Sequence, residues 1–114
     1  MEQSVYDWVH GDWQKLAGAK GDTAYVGVLY WREDSIGVLY TVPAGKHRVV
    51  VTVRDYSSWR TVVVWNKRQK AGAYRVLWRP SKPDGSFMPR GRADLNVRIG
   101  RREYHKFLAW RWRR

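Results

Sequence analysis

Between residue 24 and about residue 110, one segment after another returns apolar side chains at every second position, and that period fixes the fold class. A period of two puts successive side chains on opposite faces of a strand, whereas a helix face needs a return every three to four residues. Residues 24–32 and 35–42 each contain Gly-Val-Leu-Tyr, at 27–30 and 37–40, and read as a hairpin turning at Glu33-Asp34. That turn places Tyr25, Gly27, Leu29 and Trp31 on one face with Ile36, Val38, Tyr40 and Val42. Pro43-Ala44-Gly45 reads as a turn. In 47–54, Val49, Val51 and Val53 point one way while Arg48, Thr52 and Arg54 point the other. Asp55 to Ser58 turns the chain. Residues 59–66 form the next strand, with Trp59, Thr61, Val63 and Trp65 opposite Arg60, Val62 and Val64.

Asn66 to Lys70 reads as a basic loop. In 72–79, Tyr74, Val76 and Trp78 face away from Arg75, Leu77 and Arg79. Pro80 to Arg92 carries three prolines and two glycines and reads as a long loop, a feature that is often functional in compact domains. In 93–99, Leu95, Val97 and Ile99 point inward and Asp94, Asn96 and Arg98 outward. The segment 101–114 alternates through Tyr104, Lys106, Leu108, Trp110 and Trp112. It is expected to be a strand to about Trp110, although Tyr104, Phe107, Leu108 and Arg111 also suit a helix face. Only residues 4–16 carry a helical pattern, with Ser4 as cap and Val5, Trp8, Val9, Trp13 and Leu16 near one face. Gly11 weakens this helix, and Ala17 to Asp22 follows as a loop.

The expected fold is mostly β, with α+β as the alternative class. It is an antiparallel sheet or small barrel of six to seven strands with one short N-terminal helix, since short hairpin connections disfavour a parallel sheet. At 114 residues, one domain spanning 1–114 is expected.

Charge narrows the function classes. Net charge is +12, but residues 1–57 sum to −1 and residues 58–114 to +13. Positive charge gathered in one half points to a polyanionic partner. Arginine outnumbers lysine by fifteen to seven. Its planar fork grips phosphate with two bonds and stacks on rings, which a lysine ammonium does not do. Eight tryptophans and seven tyrosines exceed what a small core needs, and exposed rings beside arginines are the stacking platform of single-strand binders.

The candidate nucleic-acid-binding residues are therefore the arginine and ring set of the second half. Arg75, Arg79, Arg98, Arg101, Arg102, Lys106 and Arg111 lie on or beside consecutive strands. Trp78, Tyr104, Trp110 and Trp112 lie close to them in sequence. Trp110 and Trp112 are expected to be exposed, because no later strand covers them, whereas Trp31 and Trp65 are expected in the core. Arg90 and Arg92, with Phe87, are placed on the Pro/Gly loop, where they would fold over a bound strand.

The expected function is non-enzymatic binding of single-stranded DNA or RNA. The lack of a recognition helix argues against major-groove reading. One alternative is a metal-independent, toxin-like ribonuclease, with His105 and Glu103 for proton transfer and Arg101 and Arg102 for the phosphate. Another is an interaction module that sets the same basic face against an acidic protein, a ribonucleoprotein or a virion component. Tyr74 to Arg79, followed by Val97-Arg98-Ile99-Gly100-Arg101-Arg102-Glu103-Tyr104, resembles the C-terminal block of RelE/ParE-type toxins. That resemblance covers roughly a third of the chain. It implies mRNA cleavage served by Arg75, by Arg101 or Arg102, and by Tyr104. The long N-terminal helical pair of that family is replaced here by strands.

No cofactor or metal is expected. There are three scattered histidines and no cysteine, and Gly85 and Gly91 lack a phosphate-loop context. The absence of cysteine fits a reducing compartment, so the expected location is cytoplasmic, or nucleoid- or virion-associated. Met1 to Ala17 has acids where a secretion signal would have bases. No apolar run approaches the roughly 20 residues of a membrane span. The expected partner is nucleic acid rather than membrane, with a homodimer allowed.

Overall fold

The computed structural model describes residues 12–17, 23–31 and 34–112. They form six antiparallel strands: β1 (Asp12–Ala17), β2 (Thr23–Trp31), β3 (Ser35–Asp55), β4 (Thr61–Trp78), β5 (Arg90–Ile99) and β6 (Arg102–Arg111). The sheet order is β1-β2-β3-β5-β6, with β4 paired to β3. The mostly β, antiparallel class therefore holds. Of the helix expected over 4–16, residues 12–16 are instead on β1, paired with β2 from Asp12↔Val28 to Ala17↔Thr23. Residues 4–11 lie outside the described residues, as do Arg113, Arg114 and the side chain of Trp31.

The 21-residue β3 organises the molecule. β4 pairs along it from Ile36↔Trp78 to Arg54↔Thr61. One edge of β3 is thus occupied by β4 throughout, and its other partners must share the opposite edge. β2 takes the first part of that edge, from Val26↔Tyr40 to Trp31↔Ser35. β5 takes the last part, from Val49↔Ile99 to Asp55↔Ala93. Between these two partners β3 bends, and the sheet curls into an open half-barrel. The curl brings its ends together. Tyr30 on β2 accepts a hydrogen bond from the Ala109 amide of β6 at 3.4 Å. The indoles of Trp78 and Trp110 meet edge to face at 5.5 Å.

The bend sits where a turn is expected from Pro43-Ala44-Gly45. These residues form a bulge inside β3, at the register shift between Val42 and Lys46. Proline lacks a ladder N–H and is tolerated at bulges, and Gly45 takes a φ of 99°, which favours glycine. The basic loop expected at 66–70 is likewise strand, with Arg48↔Arg68 and Val50↔Asn66 paired, so β4 is one strand of 18 residues.

The interior is lined by valines and leucines that alternate as the period requires. Ile36, Val38 and Tyr40 face Val26 and Val28 on one half, and Val49, Val51 and Val53 face Leu95, Val97 and Ile99 on the other. Each such side chain withdrawn from water stabilises the fold by about 1.5–3 kcal/mol. Two expected faces need correction. The β2–β3 hairpin pairs Val26 with Tyr40 and Val28 with Val38, one residue out of the expected register, because it is Trp31 that pairs with Ser35. In β4 a second bulge between Val51↔Trp65 and Thr52↔Val63 leaves Val64 as the extra residue. Trp65 therefore packs on the core as expected, but Val63 is exposed.

Candidate functional site

The outer face of β3, β5 and β6 gathers the residues best suited to bind something. Strand alternation buries Ala93, Leu95, Val97 and Ile99, so Arg92, Asp94, Asn96 and Arg98 must face outward. Their neighbours across the ladder are Ala109, Phe107, His105 and Glu103 on β6, and Arg54, Thr52 and Val50 on β3. Further along the same face Arg90 pairs with Arg111. Arginines thus share one surface with small, aromatic and polar side chains and with two acids, Asp94 and Glu103.

Beside it stands a cluster of rings that sequence reasoning missed. Tyr56 and Trp59 stack with centroids 5.5 Å apart and planes 21° apart, and Phe107 lies 5.7 Å from Tyr56. Arg54 sits over the Trp59 ring at 4.9 Å. Trp59 is 60% exposed and Phe107 50%. Rings this open add little to folding and are available to a partner.

The turn after β3 builds this presentation. The Asp55 amide donates to the Arg60 carbonyl at 3.0 Å and the Trp59 amide to the Asp55 carbonyl at 2.7 Å, which closes a four-residue connection, 56–59. The last position of the loop takes φ 57°, and its occupant is Trp59. Glycine or asparagine normally fills such a left-handed position, and a bulky residue there carries about 1–3 kcal/mol of strain.

The buried Asp55 carboxylate fixes the loop. It accepts from the Ser57 amide and from the hydroxyls of Ser57 and Ser58, all within 3.2 Å. Burial alone would push its pKa up, but these hydrogen bonds outweigh that and hold it below the ordinary aspartate value. Tyr56 donates from its amide to the Arg92 carbonyl and from its hydroxyl to the Asp94 carboxylate, at 3.0 and 2.9 Å. The bond to Asp94 also raises the phenol pKa and ties the ring to β5.

The sequence-derived candidates divide among several places. Arg90, Arg92, Arg98 and Arg111 are exposed together on the outer face. Arg90 and Arg92 belong to β5, correcting their expected position on a loop. Arg101 is exposed in the β5–β6 turn, and half-buried Arg102 opens β6. Arg79 lies 4.5 Å from the Phe87 ring, and Trp112 lies 5.9 Å from Phe87, so these three gather at the 80–89 loop. Arg75 is opposite Leu39 on the other half of the sheet.

The remaining candidates are in or against the core. Trp110 is 6% exposed, packs on Trp78 and donates its indole N–H to the Met88 carbonyl, which corrects its expected exposure. Trp112 is half-buried against the core, and Tyr104 is buried. Lys106 is half-buried, paired in register with Leu95. Arg75 and Tyr104 are therefore not brought together as the toxin resemblance implies.

His105 lies 3.4 Å from Glu103, both exposed on the outer face. Among the described residues no group of three histidines or carboxylates stands close enough to hold a metal ion, and no helix is long and apolar enough to cross a membrane. In comparison with known proteins the chain matches no family model, no curated protein and no solved structure.

Proposed function

We propose that the protein binds single-stranded nucleic acid on the outer face of β3, β5 and β6. Unpaired bases stack on Trp59 and Phe107, and Arg54, Arg92 and Arg98 take the phosphates. One observation carries this: Trp59 is held exposed, in a strained backbone conformation, beside Arg54 on a hydrogen-bonded loop. Strain of this kind persists only where the surroundings enforce it, and it concentrates at functional sites. A base stacked on such a ring is worth roughly 1–3 kcal/mol and tolerates any sequence, whereas a duplex keeps its bases stacked inside.

Trp59→Gly tests the assignment. Glycine relieves the left-handed strain, while the contacts with Tyr56 and Arg54 are lost. These effects are each of order 1 kcal/mol and oppose one another, so stability changes by less than about 1 kcal/mol. Anisotropy titration with short single-stranded oligonucleotides should show affinity weakened by about 1–3 kcal/mol, and the wild type should bind duplex more weakly. Unchanged affinity in the variant would remove Trp59 from the site. The His105–Glu103 pair beside Arg98 favours a second reading, metal-independent RNA cleavage. RNA that stays intact in the titration supports simple binding, and cleavage that disappears in His105→Ala would replace it.

A further inference from the structure

β5 and β6 continue past the end of β3. The last β3–β5 pair is Asp55↔Ala93, yet β5 and β6 remain paired as far as Arg90↔Arg111. The Asp55 turn folds across this step and leaves a cleft of about 490 Å³ between Tyr56 and Ser57 on one side and the ends of β5 and β6 on the other. Its volume lies within the roughly 300–1,000 Å³ range of small-ligand sites.

Charge and shape in this cleft are specific. Arg90, Arg92 and Arg111 line it and are all exposed. Among the described residues no carboxylate forms an ion pair with them. Asp55 also lines it, held by Ser57 and Ser58, and its single negative charge leaves the lining with three arginine charges against one carboxylate. Ala109 is small, so space remains between the arginines. The floor is closed by Met88 and Trp110. They approach the backbone so closely that a Cβ on Gly91 would meet the Trp110 ring at 2.7 Å and the Met88 sulfur at 2.9 Å. One wall is the Tyr56 ring, which leads directly into the stack with Trp59.

We infer that this cleft holds the terminal phosphate of a single-stranded nucleic acid whose following bases run onto the ring cluster. The inference rests on the proposed function. A terminal monoester carries about −1.5 to −2 charge and three free oxygens at neutral pH, whereas an internal diester carries a single charge and has two chain substituents to accommodate. Three arginines over a closed floor suit the first group.

The test compares one internally labelled single-stranded oligonucleotide in four forms: 5′-phosphorylated, 3′-phosphorylated, hydroxyl-ended and circular. One phosphorylated form should bind about tenfold more tightly than the hydroxyl-ended and circular forms, the gain from an added charge-assisted contact. In Arg90→Ala/Arg111→Ala that advantage should vanish, with phosphorylated and hydroxyl-ended forms binding alike. If all four forms bind the wild type equally, the cleft is not an end site, although single-strand binding stands. If the double variant keeps the full tenfold preference, the terminal phosphate sits elsewhere. If none of the forms binds, the proposed function itself falls.

Discussion

Trp59 is held in a backbone conformation that disfavours it by the neighbouring Asp55, whose carboxylate organises the loop before any partner arrives. This makes Asp55 a positioning residue with a pH signature. Burial would raise its pKa, yet the hydroxyls of Ser58 and Ser57 and their backbone amides lower it further than burial raises it. A carboxyl whose folded pKa is depressed stabilises the fold fully above its unfolded value of about 3.9, and that contribution is lost as pH falls through the lower folded value. Asp55→Asn keeps one carbonyl acceptor and loses the charge, so it should cost about 1–3 kcal/mol at pH 7. Urea midpoints for the two proteins should differ at pH 7 and pH 5 and converge toward pH 2. Asp84 is exposed in both proteins and cancels in the comparison. A gap that stayed constant down to pH 2 would mean that the carboxylate charge does not hold the loop.

At the scale of the element, β6 shows what the chain's own order conceals. Among the described residues no strand follows it, and yet Trp110 is covered, because the curl of β3 carries Trp78 and the loop residue Met88 over its ring. Trp110→Ala should therefore cost about 3–5 kcal/mol of stability, read as a lower denaturation midpoint. A midpoint unchanged from wild type would place that ring outside the core. Strand alternation made the outward Arg98 and the inward Leu95, Val97 and Ile99 legible from sequence, whereas Arg90 and Arg92 read as loop because the Pro/Gly run before them masks the start of β5. Other features depended on partners far along the chain. Pro43 and Gly45 give the same local signal for a turn as for a bulge, and only the continuous pairing with β4 decides between them. The run from Asn66 to Lys70 lacks alternation because it is mostly exposed, yet its ladder to β3 makes it strand. The ring cluster joins Tyr56 and Trp59 to Phe107 across the sheet. One signal for it was available. If Tyr104, Leu108 and Trp110 share the inner face, Phe107 must lie on the outer one, an aromatic ring among charged neighbours.

The whole molecule is polarised, and its polarity predicts how binding should respond to salt. Most of the positive charge lies in residues 58–114, and the curl spreads part of it over the outer face of β5 and β6. The acids on that face are already engaged: Asp94 accepts from Tyr56, and Glu103 lies beside His105. Two carboxylates therefore stand against Arg54, Arg90, Arg92, Arg98 and Arg111 on that face, which stays net positive. Each phosphate neutralised on a single strand releases about 0.7 of a counterion, so four to six contacts predict a slope of roughly −3 to −4 for log affinity against log salt. Replacing Arg92 and Arg98 with alanine removes two contacts and should flatten the slope by about 1.4, whatever the base sequence. Trp59→Gly should weaken binding at every salt concentration and leave the slope nearly unchanged, because stacking releases no counterions. The two variants thus separate the charge from the rings on one surface. A wild-type slope near zero, with binding intact, would show that the arginine face does not contact phosphates and leave stacking as the sole source of affinity.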